Sequence, residues 1–546
     1  MTLHFNSLTR KKASGAESFK IMFKNIFSLI IILCAVAGAF AQSPHLDITF
    51  NGNGRSLIDI SPNSDRVIDT LIQSDGKIIL VGTANLDNFM FQTTFFALTR
   101  FNTNGTPDAS FGDNGKVATD FAGNALHDIA LSAAIQPDDK IVVAGFIRLI
   151  SNGDGFFAVI RFNADGTVDD SFGDNGRVTV SFISPINDAY AVTIAPSGDI
   201  VVAGNYFTGG PTLQTGVARL SSTGAVLGTM TETQATGPGG YNSPNAVLVQ
   251  PDGKIVTAGY YYPGGPNPSN IKMVRFNPDG SRDATFGTDG RVWMNEGINE
   301  VIHDVRLLSD GRIIVCGIRG NDFLLMRFLP NGQLDPDFGT NGRVTTAFGA
   351  GYAIPGNMVV RPNGKILLAG RAVNHIAVAY YNEDGSPDTS FSGDGKLEFI
   401  YPPSASTIAT SVAIDSFGRI VIGANSAFAF AAVRLYTLDP VPVTISGQAR
   451  TSDGSPLRGV RVGLTDASGI TRWALTSNFG FFGFDDVPTG QTCNLFVRGS
   501  KTHIFESRDI GLNEAVNNAD LIGTPRAEKE LTVMVRTPQA PVKKLK

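Results

Sequence analysis

A turn of the Gln-Pro-Asp-Gly-Lys kind, followed by an apolar strand and a glycine, recurs seven times and constrains the fold more than any other feature of the chain. The fullest copy is Gln250-Pro251-Asp252-Gly253-Lys254-Ile255-Val256-Thr257-Ala258-Gly259. The basic position of the turn, or its stand-in, falls at Lys77, Lys140, Asp199, Lys254, Arg312, Lys365 and Arg419, with spacings of 63, 59, 55, 58, 53 and 54 residues. A unit of that length cannot bury a core alone, so neighbouring units must stack. Pro fixes φ and Asp-Gly supplies a positive-φ position, which gives each turn a physical basis. Strands are expected over residues 189–195, over 200–203 closed by Gly204, and, one unit earlier, over 157–162, with Ser171 to Val178 leading into a fourth. Four short strands per repeat form one blade, and seven copies predict an all-β chain: a seven-bladed β-propeller followed by a small β-sandwich domain.

A second phrase, Phe-Gly-x-x-Gly followed by Arg or Lys, begins at Phe111, Phe172, Phe286 and Phe338, with near copies at Phe50 and Phe391. The seventh slot has decayed to Leu227-Gly228-Thr229-Met230. The array opens with this phrase at Phe50, before any Asp-Gly-Lys turn, and closes at Arg434-Leu435 without it. The first segment therefore supplies what the last repeat lacks, and the N-terminal strand is expected to complete the last blade and leave no open edge.

Asp108-Ala109-Ser110-Phe111-Gly112-Asp113-Asn114-Gly115-Lys116-Val117 keeps the second phrase nearly whole. On these motifs residues 46–437 resemble a run of delta-60 repeats, a bacterial family of β-propeller repeats. The resemblance implies a propeller and an envelope or secreted location, and it carries no agreed activity and no catalytic residues. After Pro442 the period stops. Asp453-Gly454, Pro456-Leu457-Arg458-Gly459-Val460, Phe481-Phe482-Gly483-Phe484 and Val487-Pro488-Thr489-Gly490 follow in order. Residues 443–524 resemble the carboxypeptidase regulatory-like domain, a non-catalytic β-sandwich companion of a zinc peptidase. The peptidase itself is not in this chain. Family members usually carry an aromatic after the Pro-x-Gly turn, where this chain has Cys493 and Asn494. Residues 525–546 hold six basic and two acidic side chains and are expected to form a mobile tail.

The N-terminus is expected to serve export. Lys20 and Lys24 precede an apolar run from Ile26 to Val36, and Ala39-Phe40-Ala41 follows, which is the layout of a cleavable signal peptide over residues 1–41. Met1 and Met22 both remain possible starts. The apolar run is too short for a membrane anchor, and Cys34 follows Leu33 rather than the small residue that a lipoprotein signal requires. Cleavage removes five basic side chains and Glu17, leaving a net charge four units below the −5 of the whole chain. An acidic exported chain of this kind is a poor nucleic-acid partner. Cys316 and Cys493 fall in different domains and are expected as two buried thiols.

An Arg ends the third strand at Arg100, Arg161, Arg219, Arg275, Arg327 and Arg434, with Tyr380 in the odd blade. Repetition assigns these to the blade, each pairing with a carboxylate of the following phrase, such as Asp108, Asp169 or Asp283. The turns Asn163-x-Asp165-Gly166 and Asn277-x-Asp279-Gly280 faintly resemble calcium loops, but neither continues to the required Glu. No other cofactor is indicated. There is no His-Glu-x-x-His, no Gly-x-Ser-x-Gly and no Cys cluster. His127-Asp128 and His303-Asp304 repeat one dipeptide and are taken as scaffold. Recognition needs positions that differ between blades. Counting eight back from each turn's basic residue gives Asp69, Ser132, Ala191, Ala246, Asp304, Asn357 and Ser411. Asp69, Asp304 and Asn357 are expected at exposed strand starts, as an acidic lip whose substitution leaves the fold intact. The expectation is a non-catalytic propeller binding extracellular protein or carbohydrate. The alternatives are a structural surface spacer, or a hydrolase or lyase working at the channel mouth.

Overall fold

The computed structural model describes residues 45–85, 94–121, 125–149, 154–182, 187–208, 212–232, 240–349, 351–400, 407–426, 429–436, 442–466, 471–488, 491–498, 503–512 and 519–525. The expected signal peptide and the tail beyond Pro525 lie outside these residues. Every regular element described is a strand, and no helix among the described residues is long and apolar enough to cross a membrane.

The repeats form three four-stranded and two eight-stranded sheets. Each eight-stranded sheet is a pair of antiparallel meanders joined by one parallel bridge, Thr94 to His127 in one and Leu213 to Tyr241 in the other. The described strands thus make seven four-stranded meanders. Their first strands are Arg66–Ile72, Ala125–Ile135, Asn187–Ile194, Tyr241–Val249, Glu300–Leu307, Ala353–Val360 and Thr407–Ile414. Each packs beside the next, and the last packs beside the first, so the cycle closes. The closing meander takes its outer strand from the other end of the chain, where Arg55–Ile58 pairs antiparallel with Ala429–Leu435.

The two repeated phrases meet in one buried cluster per meander. Arg100, Arg161, Arg275, Arg327 and Arg434 donate from Nε to Asp108, Asp169, Asp283, Asp335 and Asp47 at 2.6–2.8 Å. Each guanidinium lies over the ring of Phe111, Phe172, Phe286, Phe338 or Phe50, 4.5–4.6 Å from its centroid. Nη1 reaches a turn carbonyl of the neighbouring meander: Ala164, Ser222, Pro330, Glu383 and Thr103 respectively. The turn's basic residue joins the same carboxylate, as in Lys77 to Asp108 at 3.2 Å and Lys140 to Asp169 at 2.9 Å. Arg, Asp, Phe and Lys of the repeat are therefore parts of one cross-meander clasp. In the third repeat the turn carries Asp199, and Arg219 pairs with it at 2.6 Å. In the sixth, the Tyr380 hydroxyl accepts from Arg361 at 2.8 Å while Lys365 holds Asp388 at 2.8 Å.

The repeating glycines lie inside the second strands rather than at their ends, and they sit opposite a β-bulge in the first strand. Pairing shifts between Val67 and Asp69, Ala130 and Ser132, Ala189 and Ala191, Pro244 and Ala246, Ile302 and Asp304, Pro355 and Asn357, and Ala409 and Ser411. A Cβ at Gly317 would come within 1.9 Å of the Val301 carbonyl oxygen, and one at Gly204 within 1.9 Å of that of Asp188. Close approach, rather than backbone conformation, requires glycine at these positions.

Residues 442–525 form two further sheets of four strands. Ile445, Leu464, Phe482, Phe484, Leu495 and Leu521 share one core between them, a sandwich arrangement. Cys493 belongs to this core, and Asn494 turns outward to donate to Asp509 at 2.7 Å. Cys316 and Cys493 are both free and buried.

Candidate functional site

Antiparallel meanders place all their connections on two faces. The turns between first and second strands lie on one face, and each has five residues. The connections between second and third strands lie on the other face. They contain eight, five, five, seven, two, two and two residues in chain order. The five-residue turns thus repeat, whereas the connections between second and third strands differ from meander to meander.

Asp69, Asp304 and Asn357 are brought together around the channel enclosed by the first strands. Six residues of the sequence column, Asp69, Ser132, Ala191, Ala246, Asp304 and Asn357, line one cavity of 480 Å³. They are not exposed strand starts. Each lies mid-strand, immediately after the bulge, and Asp304 is only 7% exposed. Their polar atoms reach the next meander. The Ala133 amide donates to Asp69 (3.2 Å), Val192 to the Ser132 hydroxyl (3.2 Å), Met358 to Asp304 (3.0 Å) and Val412 to Asn357 (2.7 Å). Ser411 meets Thr70 at 2.7 Å. Substitution here removes bonds between meanders, so the expectation of an unaffected fold is corrected.

The bulged residues Ile68, Leu131, His303, Gly356 and Thr410 line both this cavity and a second one of 480 Å³ nearer the loop face. They form the waist between two chambers. Below the waist lie Asp69 and Asp304, the latter paired with Arg306 at 3.0 Å. Burial pushes the Asp69 carboxyl up to about 6, against the opposing pull of hydrogen bonds from Ala133 and Thr70. Above the waist the chamber is lined by Arg66, Arg371, Asn425, Ile354 and Ile408, with no carboxylate among the lining residues. The loop-face end of the channel is therefore basic, and the acidic groups lie deeper than expected. Arg371 sits over the ring of Tyr352, 5.2 Å from its centroid. Burial lowers the His303 pKa, and its Nδ1 donates to the Pro355 carbonyl at 2.7 Å in the neutral form.

Arg66 and Arg371 escaped the sequence reading because neither recurs. Arg371 follows a repeating glycine, and the equivalent positions hold Thr83, Phe146, Asn205, Tyr260, Ile318 and Ala424. That column varies as much as the one chosen. The paired dipeptides are also out of phase. Asp128 lies four residues before Ser132 of the sequence column, whereas Asp304 belongs to that column. Asp128 accepts from the Phe121 amide at 2.6 Å, and burial pushes its carboxyl up to about 7.

The Asp of each calcium-like turn is engaged locally. Asp165 accepts from the Thr167 amide and hydroxyl at 3.0 and 2.7 Å, and Asp279 accepts from those of Ser281 at 2.9 and 2.6 Å. Among the described residues no group of three or more His, Cys, Asp or Glu is placed to hold a metal ion.

The family described as "Domain of unknown function (DUF5122) beta-propeller" matches residues 73–111, 136–172, 250–286, 308–338 and 361–391. Each segment runs from the turn between first and second strands to the Phe of the second phrase. The two repeats it omits are the third, where the clasp is inverted, and the seventh, which is split between the ends of the array. No curated protein matches the sequence. Among solved structures, a streptogramin B lyase is similar at 12% identity and TM-score 0.40, covering 70% of this chain and 98% of the other. The WD40 β-propeller domain of Doa1 gives 12% identity and TM-score 0.40, covering 70% and 97%. PorZ, described as a surface component of the type-IX secretion system of Porphyromonas gingivalis, gives 11% identity and TM-score 0.35, covering 84% and 59%.

Proposed function

We propose that this β-propeller repeat protein is an exported, non-catalytic binding module whose seven meanders form a seven-bladed ring of delta-60-type repeats. A carboxypeptidase regulatory-like sandwich over residues 443–524 follows the ring. Its ligand is an extracellular protein or carbohydrate, taken at the loop-face end of the channel. One observation carries this reading: the turns between first and second strands all have five residues, whereas the connections between second and third strands range from two to eight. A scaffold needs only the uniform face, and discrimination needs positions that differ. Asp69, Asp304 and Asn357 act here chiefly through their positions, holding the channel wall whose shape the ligand meets. The test is a glycan and protein array probed with the purified protein. Grafting the two-residue connection Gly320-Asn321 in place of residues 263–269 should change the set of ligands bound, and altering the Asp252-Gly253 turn should not. The same set of ligands from both variants refutes the reading.

A structural spacer is the second reading. It is favoured by the engagement of Asp69, Asp304 and Asn357 with backbone amides of neighbouring meanders. A protein that binds nothing on either array supports it.

A further inference from the structure

The upper chamber joins two properties that the rest of the channel does not share. It holds two guanidinium side chains, Arg66 and Arg371, and among the described residues neither makes a salt bridge. Arg66 begins a first strand and Arg371 lies in a second, whereas the arginines that end third strands are engaged with an Asp, as at Arg100 and Arg327, so these two cations at the channel stand apart from the clasp pattern. An unpaired cation costs little in open solvent. Arg66 is exposed and Arg371 half-buried, and where the two border the same concave chamber their charges add to favour an anion, the more so on the less hydrated Arg371 side.

We infer that the upper chamber is an anion site, taking the carboxylate or sulfate of an acidic sugar through Arg66 and Arg371. This rests on the reading that ligands enter from the loop face. Guanidinium groups suit both oxyanions, since their paired N–H groups match the oxygens of either. Sugar chemistry fits the surroundings. Tyr352, outside the chamber lining, is 41% exposed with Arg371 over one side of its ring, which leaves the other side for the C–H face of a pyranose that extends out of the chamber. The Asn425 side chain accepts from the Val67 amide at 2.6 Å through Oδ1, which turns an amide group to the same cavity. The chamber's 480 Å³ lies within the range of small-ligand sites. Below the waist Arg306 is already paired with Asp304, which leaves Asp69 to repel a second negative charge, so the anionic end stops at His303 and the rest of the ligand extends towards the loop face.

Isothermal titration with galacturonate oligomers, a sulfated chondroitin disaccharide and neutral galactose oligomers tests this, with sodium sulfate alone as a fourth probe. The expected result is binding of the acidic sugars that weakens as salt is raised, and little binding of the neutral ones. Arg66→Ala with Arg371→Ala should weaken acidic-sugar binding by about tenfold or more, whereas Lys396→Ala, at a half-buried cation on the turn face, should leave it unchanged. A carboxylate source and a sulfate source are told apart by which acidic probe binds more tightly. Neutral sugar bound as well as acidic sugar, with no effect of the double variant, overturns the anion site while leaving the binding module standing. No binding by any sugar probe also overturns it. Melting curves of the double variant check that the loss is not unfolding, and Arg371→Lys, which keeps the charge, should retain part of the affinity.

Discussion

Asp47 and Arg434 stand 387 residues apart and meet at 2.8 Å, both almost wholly buried. The contact repeats, across the two ends of the array, what Asp108 makes with Arg100 inside one repeat. Thr49 donates to Asp47 as Ser110 donates to Asp108. Phe50 lies under the guanidinium as Phe111 does. The closing repeat is thus assembled by the same clasp as the continuous ones.

Asp47→Ala should destabilise the protein by about 3–5 kcal/mol, because it strands a buried guanidinium. Deleting residues 46–55 should cost more, since it also removes Phe50 from beneath the Arg434 guanidinium and Arg55, the first residue of the strand paired with Ala429–Leu435. Chemical denaturation with size analysis checks both. Parent-like midpoints would show that closure contributes nothing.

Removing the bonds between first strands should loosen the ring without touching the Arg clasps. Asn357→Ala leaves the Val412 amide without its acceptor and should cost about 1–3 kcal/mol. Ala191 already lacks a side chain that could accept, so Ala191→Gly should show no comparable loss of such a bond. A comparison of urea midpoints and of amide exchange at Val412 is decisive, and protection unchanged at Val412 would contradict the assignment.

Stability should depend on pH with opposite signs at two sets of carboxyls. Burial raises Asp69 to about 6 and Asp128 to about 7. The folded state therefore binds their protons more tightly than the unfolded chain, and stability falls as pH rises through that range. At Asp108 burial is outweighed by hydrogen bonds from Ser110 and Lys77 and by Arg100, giving about 2. Its contribution is present above the ordinary carboxylate range and lost as pH falls towards 2. Melting temperature should rise from pH 7 to about 5 and collapse below about 4. Asp128→Asn should shrink the first limb to the part that Asp69 contributes and leave the acid collapse unchanged.

Gly317→Ala should destabilise by about 1–3 kcal/mol through overpacking, since its Cβ meets the Val301 carbonyl. Gly228→Ala, with nothing within 4 Å of the added carbon, serves as the control. Equal melting temperatures for the two variants would remove the bulge as the reason for the glycine.

Both thiols should be unreactive until the protein unfolds. Cys316 is fully buried, and burial holds its thiol well above its ordinary pKa. Thiol counting in native and denaturing buffer should find both groups only after denaturation, and a bridge between Cys316 and Cys493 in non-reducing mass spectrometry would contradict the structure.

What repeats was legible from the sequence. Arg100, Arg161 and Arg275 were paired with Asp108, Asp169 and Asp283 from recurrence alone, and the N-terminal strand was assigned to the last repeat because its phrase was missing there. The bulge was not legible. Its residues are Ile68, Leu131, Tyr190, Asn245, His303, Gly356 and Thr410, which share no chemistry, because an inserted residue is selected by geometry rather than by type. Without the bulge, Asp69, Asp304 and Asn357 looked like solvated strand starts. Their partners are backbone amides of the next meander, which no residue pattern announces. Arg66 and Arg371 were not legible for the converse reason: each occurs once, and only recurrence marks a position in a repeat.

The departures of the third repeat have a consequence for assembly. A ring of interchangeable units could join its ends out of order, each wrong partner satisfying the same contacts as the right one. Asp199 reverses the clasp of the third unit, and Glu232 at the end of its outer strand meets Lys272 (3.8 Å) and Arg291 (2.5 Å) of the fourth. Glu232 is 2% exposed, so a misjoined neighbour without those cations would strand a buried charge. One irregular seam thus gives six near-equivalent ones a fixed order, much as a single keyed joint prevents a wheel of similar parts from being put together wrongly.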